Sequence, residues 1–167
     1  MDRRKIFGIS AMGILGMALQ PRAALAQGTS VKEKLVGVWS LVSIYDEGVD
    51  GKRYDVWGEG VQGITVYSAG GHFTTQIISA NRDKTAAKNP RQPVGPAIGY
   101  FGTYVVDEAA MTIAQHLESS TFPGWVGYDR LGKIDLLTDD EAHLSGGLVH
   151  DPVNGDIYPR AHYKRVT

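Results

Sequence analysis

Short runs of aromatic and β-branched residues, separated by clusters of turn residues, follow one another along this chain. Such runs favour β-strands, and no amphipathic helical stretch lies between them, which argues against a parallel βαβ architecture. About eight to ten strands at roughly regular spacing predict an all-β, antiparallel up-and-down barrel, with a β-sandwich as the alternative. The predicted strands cover residues 37–45, 63–67, 72–78, 98–106, 111–119, 126–131, 134–137, 143–149 and 158–166.

Three further sequence features add a short helix, a long connection and an edge position to this predicted series of strands. Ser30 with Glu33 three residues later is typical of a capping box and predicts a short N-terminal helix over residues 31–35. Residues 79–96 hold three prolines and form the one long connection, which we expect to be a lid or a loop with a short helix. Pro159 places the beginning of the final strand at a sheet edge, because proline has no N–H to donate.

The N-terminus has the pattern of an export signal. A basic head at Arg3-Arg4-Lys5 precedes an uncharged apolar run over residues 6–19, and Ala24-Leu25-Ala26 then resembles a signal-peptidase site. The apolar run is shorter than the roughly 20 residues that span a bilayer, so we expect cleavage before Gln27 rather than a membrane anchor. The paired arginines leave the twin-arginine and the general secretory routes both open. The mature protein is expected in the periplasm or outside the cell.

Composition excludes several classes of function. Residues 1–26 are the expected cleaved signal, which leaves residues 27–167 as a single domain of ordinary size. A net charge of −1 argues against a nucleic-acid partner, and zero cysteines exclude disulfides, thiol catalysis and cysteine-ligated metals. The five histidines form no His-x-His or His-x-x-x-His pair, so no metal and no cofactor is expected. No membrane insertion is expected after signal cleavage, and the oligomeric state is left open.

Four motifs in order resemble the bacterial and fungal lipocalin-like domain family over residues 35–138. They are Gly37-Val38-Trp39, Tyr67 to Phe73, Gly99 to Tyr104, and His116 to Gly127 with Arg130 just beyond. Gly124 departs from the family pattern, which commonly has asparagine there. The resemblance implies a calycin-type β-barrel with an internal cavity and with Trp39 closing one end. It implies no single reaction, although lipocalin-like barrels in general bind small apolar ligands.

His116 and Glu118 are the candidate catalytic residues. They are two positions apart on a predicted strand, so both side chains point to one face. If that face lines the cavity, Glu118 could orient His116 and make the pair a general acid or base. If it faces outwards, the pair is an ordinary polar surface and Gln115, Ile113 and Met111 line the pocket instead. The apolar pattern favours the outward orientation, whereas the resemblance favours a polar patch inside the barrel.

Six further residues are candidates for ligand binding. Inside a barrel, Arg130 would bind a carboxylate or enolate through two hydrogen bonds, whereas outside it would be a solvated charge. The aromatic candidates could form a cavity wall or supply pocket hydroxyl groups. The candidates are Tyr67, His72, Tyr100, Tyr104, Trp125 and Arg130.

Three functions therefore compete. The first is an exported protein that binds a small, partly apolar metabolite in the barrel. The second is a cofactor-free isomerase, cyclase or lyase that uses His116 and Glu118, with Arg130 stabilising negative charge. The third is a structural or interaction protein whose barrel is filled by side chains. The expected partner in the first two cases is a small-molecule ligand or substrate.

Overall fold

Ten β-strands dominate the computed structural model of the chain, which describes residues 29–83, 85–86, 88–92 and 94–167. The predicted export signal, residues 1–26, lies outside the described residues. One α-helix and one 3-10 helix, Pro123–Trp125, accompany the strands in the described part of the chain. The elements are α1 (Val31–Leu35), β1 (Gly37–Gly48), β2 (Arg53–Tyr54), β3 (Gln62–Tyr67), β4 (His72–Ile78), β5 (Ala97–Asp107), β6 (Thr112–Ser120), β7 (Asp129–Leu137), β8 (Glu141–Gly146), β9 (Val149–Asp151) and β10 (Gly155–Arg165).

Eight of the strands close into an antiparallel barrel, which confirms the predicted fold and excludes the sandwich. Neighbours follow chain order from β3 to β8, β10 then pairs with β8, and the pairing of β1 with β10 closes the ring. The two short strands β2 and β9 are additions on β1 and β10. The sequence pattern missed β2 and β9 and divided β7 into two strands.

The connections alternate between the two ends of the barrel, as they must in an up-and-down fold. One end carries only the tight turns after β3, β5 and β7. The other end carries the longer connections 49–61, 79–96, 121–128 and 147–154, which surround its opening. The described residues of 79–96 contain no helix, so the short helix expected there is not found.

Trp39 closes the end with the tight turns, as the Gly-x-Trp motif predicts. The indole is 1% exposed and donates its Nε1–H to the carbonyl of Leu35 at 2.8 Å. The guanidinium of Arg165 lies 4.2 Å from the centre of the indole ring and adds a cation–π contact. The same guanidinium donates to the backbone carbonyls of Lys34, Val36 and Asp139. A single arginine thus ties the entry helix, the tryptophan and the β7–β8 turn together.

The entry helix α1 has the predicted capping box. Ser30 accepts a hydrogen bond from the backbone N–H of Glu33 at 3.1 Å, and the Glu33 carboxylate accepts one from the Ser30 N–H at 2.8 Å. These two bonds satisfy N–H groups that a helix start leaves without partners. None of the helices in the described ranges is long and apolar enough to cross a membrane.

Gly102 and Pro159 lie where the pairing of the barrel strands is irregular. A side chain at Gly102 would overlap the backbone carbonyl of His116 on the adjacent strand, at a point where the β5–β6 register shifts. Only glycine therefore fits there. Pro159 lies within β10 rather than at its start, which corrects the expectation. The β9 pairing ends at Ile157 and the β8 pairing begins at Arg160, so the proline lies between two ladders on that side of β10. On the other side it is paired with Asp46 of β1.

Candidate functional site

A cavity of about 1010 Å³ occupies the barrel between the Trp39 end and the open end. Polar side chains line its inner part, and each of them is at most 6% exposed: Tyr67, Tyr100, Gln115 and Tyr163. Apolar side chains line the part near the opening, among them Trp57, Ile98, Phe122, Trp125, Leu148 and Val149. The barrel is therefore not filled by its own side chains.

Arg130 extends from β7 into this cavity. Its Cα is paired with that of Gln115 on β6, and directly opposed residues of an antiparallel pair share a face. Its Nη2 and Nε donate to Gln115 Oε1 at 2.7 and 3.2 Å, and Nη2 also lies 3.2 Å from the Tyr100 hydroxyl. The guanidinium lies 5.0 Å from the centre of the Tyr100 ring. The structure thus selects the inward orientation from the two that the sequence left open.

No acidic side chain of the described residues forms an ion pair with Arg130. Its neighbour Asp129 points to the other face of β7 and accepts from His116 there. Burial acts to lower the pKa of Arg130, but Tyr100 and two further tyrosines outweigh it and raise that pKa above its ordinary value. The guanidinium is therefore charged at neutral pH and has only neutral hydrogen-bond partners.

The tyrosines around Arg130 are donors at neutral pH. Burial raises the pKa of the Tyr67 hydroxyl well above its ordinary value and that of Tyr163 to about 12. Tyr67 accepts a hydrogen bond of 3.4 Å from Gln115 Nε2, so its own proton is available to a further acceptor. A buried bond of 3.1 Å between the hydroxyls of Thr65 and Thr75 lies on the same inner wall. The inner part of the cavity is thus rich in donors and positive.

Four of the predicted ligand-binding residues line the cavity: Tyr67, Tyr100, Trp125 and Arg130. The 3-10 helix places Trp125 at the opening, where its ring packs edge-to-face on Tyr100 with centroids 5.6 Å apart. These residues come from β3, β5, the β6–β7 connection and β7, so only closure of the barrel brings them together.

His116 and Glu118 lie on the outer face of the barrel, which is the outward one of the two orientations that the sequence left open, so this candidate pair does not line the cavity. Burial alternates along β6, with Ile113, Gln115 and Leu117 inside. The side chain of His116 is 49% exposed, and its Nδ1 lies 2.7 Å from Asp129 Oδ1. His116 borders only a shallower outer depression of about 270 Å³.

Tyr104 and His72 also differ from their predicted places. Tyr104 is buried, but it lies near the tight turn after β3 and its hydroxyl donates to the Ser68 carbonyl at 2.8 Å. That hydroxyl therefore holds the turn and is not offered to a ligand. His72 is exposed on β4. Met111, expected in the pocket if His116 faced outwards, occupies the β5–β6 turn with a φ of 51°.

Two further residues line the inner wall: Gln115, which was expected in the pocket only if His116 faced outwards, and Tyr163, which was not predicted. Gln115 holds the Arg130 guanidinium on one side and Tyr67 on the other. Its sequence signal is a polar residue in the middle of the apolar alternation Ile113-x-Gln115-x-Leu117. Tyr163 had a weaker signal, because its strand shows no clear alternation of apolar residues.

A family model described as a lipocalin-like domain matches residues 36–149. The chain belongs to the lipocalin-like domain family. The resemblance found in the four motifs is thereby confirmed. The matched part of this lipocalin-like domain ends before β10, the strand that closes the barrel and contributes Tyr163 and Arg165.

Solved structures of similar shape are distant from this lipocalin-like domain. The bovine odorant-binding protein in complex with a selenium-containing odorant aligns with a TM-score of 0.43 at 11% identity, over 81% of this chain and 73% of that one. A redesigned β-barrel aligns with a TM-score of 0.41 at 12% identity, over 81% of this chain and 95% of that one. No curated protein matches the chain significantly.

Proposed function

We propose that this lipocalin-like protein is an exported carrier that holds a small, partly apolar molecule in its barrel. The observation that supports the proposal is the cavity of about 1010 Å³ in a barrel whose one end is closed by Trp39, with apolar side chains bordering the opening at the other. Concave, mostly apolar cavities with a few converging polar groups are the usual form of small-molecule sites. A lipocalin-like fold is consistent with that function.

The carrier proposal is preferred to acid–base catalysis because of where the candidate pair lies. A general acid or base must come within hydrogen-bond reach of the reacting atoms. His116 and Glu118 lie on the outer wall, on the opposite face of β6 from the cavity-lining Gln115. The filled-barrel alternative is disfavoured by the volume of the cavity.

Export is the second part of the proposal and depends on the sequence of residues 1–26. N-terminal sequencing of protein recovered outside the cytoplasm should give Gln27 as the first residue. Protein that still began at Met1 would contradict the signal. Replacing Arg3 and Arg4 by lysine should block export only if the twin-arginine route is used.

Binding in the cavity can be tested with the neutral fluorescent probe N-phenyl-1-naphthylamine, on protein purified from exporting cells. Ala161→Phe would place a bulky ring in the cavity, because Ala161 lines it. Ala114→Phe is the matched control, since Ala114 is exposed on the outer face of β6 and borders the outer depression. We expect the probe to bind the wild type and Ala114→Phe alike, and Ala161→Phe at least about tenfold more weakly, which is roughly 1.4 kcal/mol.

Circular dichroism should first show that both variants are folded. Absence of probe binding by the wild type would reject the carrier proposal. Loss of binding in Ala114→Phe, with binding kept in Ala161→Phe, would move the site to the outer depression. Native mass spectrometry of the same protein would then give the mass of any molecule that it carries.

A further inference from the structure

We propose that the ligand of this barrel is a carboxylate, whose charged group binds Arg130 and whose apolar part extends towards the opening. This inference rests on the proposed carrier function and specifies the chemical class of the ligand. It depends on the charge balance of the cavity, on the donors that converge there and on the distribution of polar and apolar residues along it.

The charge balance of the inner cavity is incomplete. Arg130 is half-buried, and taking a charged group even partly out of water is costly unless it is paired or hydrogen-bonded. Arg130 is held by the neutral groups of Gln115 and Tyr100, and no carboxylate in the described parts of the chain forms an ion pair with it. An anionic ligand would supply the missing counter-charge.

The donors that remain available suit a carboxylate. In the described residues, Nη1 of Arg130 donates no hydrogen bond, while Nη2 and Nε are occupied by Gln115 and Tyr100. The Tyr100 hydroxyl accepts from Nη2, so its own proton remains free for a ligand. A carboxylate has two oxygens that can accept from a guanidinium and a hydroxyl at the same time. Gln115 fixes the guanidinium before the ligand arrives, which lowers the entropy cost of binding.

The distribution of residues along the cavity sets the orientation of the ligand. The converging donors belong to the buried inner part, whereas the opening is bordered by aromatic and aliphatic side chains such as Phe122 and Leu148. Three aspartates border the cavity: Asp46, Asp129 and Asp151. The Asp129 carboxylate is exposed and lies beside His116 on the outer face, which leaves Asp46 and Asp151, and burial together with Asp151 raises the pKa of Asp46. An anionic group bound beside these acids would be repelled. The carboxylate therefore belongs at Arg130 and the apolar part beyond it.

The test compares two molecules of the same chain length that differ in charge. Decanoate and decan-1-ol each compete with N-phenyl-1-naphthylamine for the mature protein recovered after export, at neutral pH. The variants are Arg130→Gln, which removes the charge, and Tyr100→Phe, which removes one hydroxyl and keeps the ring. Arg53→Gln is the matched control, because it removes the same charge from an exposed arginine that is paired with Asp55 outside the cavity.

We expect decanoate to bind the wild type more tightly than decan-1-ol. The ratio of the two affinities should fall by about 10- to 100-fold in Arg130→Gln, the range expected for hydrogen bonds to a charged group. Tyr100→Phe should reduce the ratio by about three- to tenfold, and Arg53→Gln should leave it unchanged.

Each other outcome has a distinct meaning. If the wild type binds the probe but prefers decan-1-ol, the carboxylate inference is overturned while the carrier proposal stands. If Arg130→Gln weakens the binding of decanoate and decan-1-ol equally, the carboxylate inference is also overturned, because the arginine would then only shape the cavity. Thermal unfolding of each variant separates these results from loss of the fold. If the wild type binds no probe, the carrier proposal itself is rejected.

Discussion

Replacing Arg165 by methionine should open the closed end of the barrel. Methionine keeps much of the apolar stem but removes the charge and every donor. The variant loses hydrogen bonds to three backbone carbonyls, those of Lys34, Val36 and Asp139, and the cation–π contact of 4.2 Å with Trp39. Hydrogen bonds to a charged group contribute about 1.5–3 kcal/mol in net terms, and a cation–π contact adds about 0.5–1 kcal/mol.

The freed carbonyls regain some water because this end of the barrel borders solvent, so these contributions do not add in full. We expect a loss of about 2–4 kcal/mol in the free energy of unfolding. For a domain of this size, about 1 kcal/mol corresponds to roughly 2–4 °C, so the melting temperature should fall by about 5–15 °C. Thermal unfolding followed by circular dichroism measures this shift directly.

Arg53→Met is a closely matched control. Arg53 also lies over an aromatic ring, with its guanidinium 4.0 Å from the centre of Tyr45, but it is exposed and its ion-pair partner is the exposed Asp55. Exposed ion pairs contribute about 0–1 kcal/mol, so this variant should melt within a few degrees of the wild type. If Arg165→Met melted no lower than Arg53→Met, the idea that Arg165 fastens the closed end would be refuted.

Three further predictions concern the wall of the barrel. Gly102→Ala should lower the free energy of unfolding by several kcal/mol or prevent folding, because the added methyl group would meet backbone atoms of β6 at His116 that cannot rotate away. Chemical denaturation measures this loss, and near-wild-type stability would contradict the register shift. His116→Ala should change neither probe binding nor stability by more than about 1 kcal/mol, because it removes only an exposed contact with Asp129. Lost probe binding would return the site to the outer face. Burial and the adjacent His143 lower the pKa of His162, so the unfolded state binds a proton more readily and stability should fall as the pH drops below about 6.5, the ordinary pKa of histidine. His162→Gln should flatten that dependence in thermal melts at a series of pH values.

The local pattern of the sequence determined the type and order of most of the elements. Alternation and turn residues predicted β4 at its observed bounds, and the Ser30–Glu33 spacing predicted α1. These features depend on contacts between near neighbours, which a sequence displays directly. The four ordered motifs predicted a calycin-type barrel closed at one end by Trp39. Resemblance to a family implies a tertiary fold, which the periodicity of apolar residues alone does not.

The position of the site was decided only by tertiary structure. Alternation along β6 separates Ile113, Gln115 and Leu117 from His116 and Glu118, but a period of two does not say which set faces inwards. Charge and polarity are a poor guide, because a buried glutamine or arginine is costly until a partner is present. The pairing of Gln115 with Arg130 across β6 and β7 supplies that partner, and closure of the barrel adds Tyr67 and Tyr100. These contacts join residues far apart in sequence, so the donor-rich inner cavity exists only once the strands are in register.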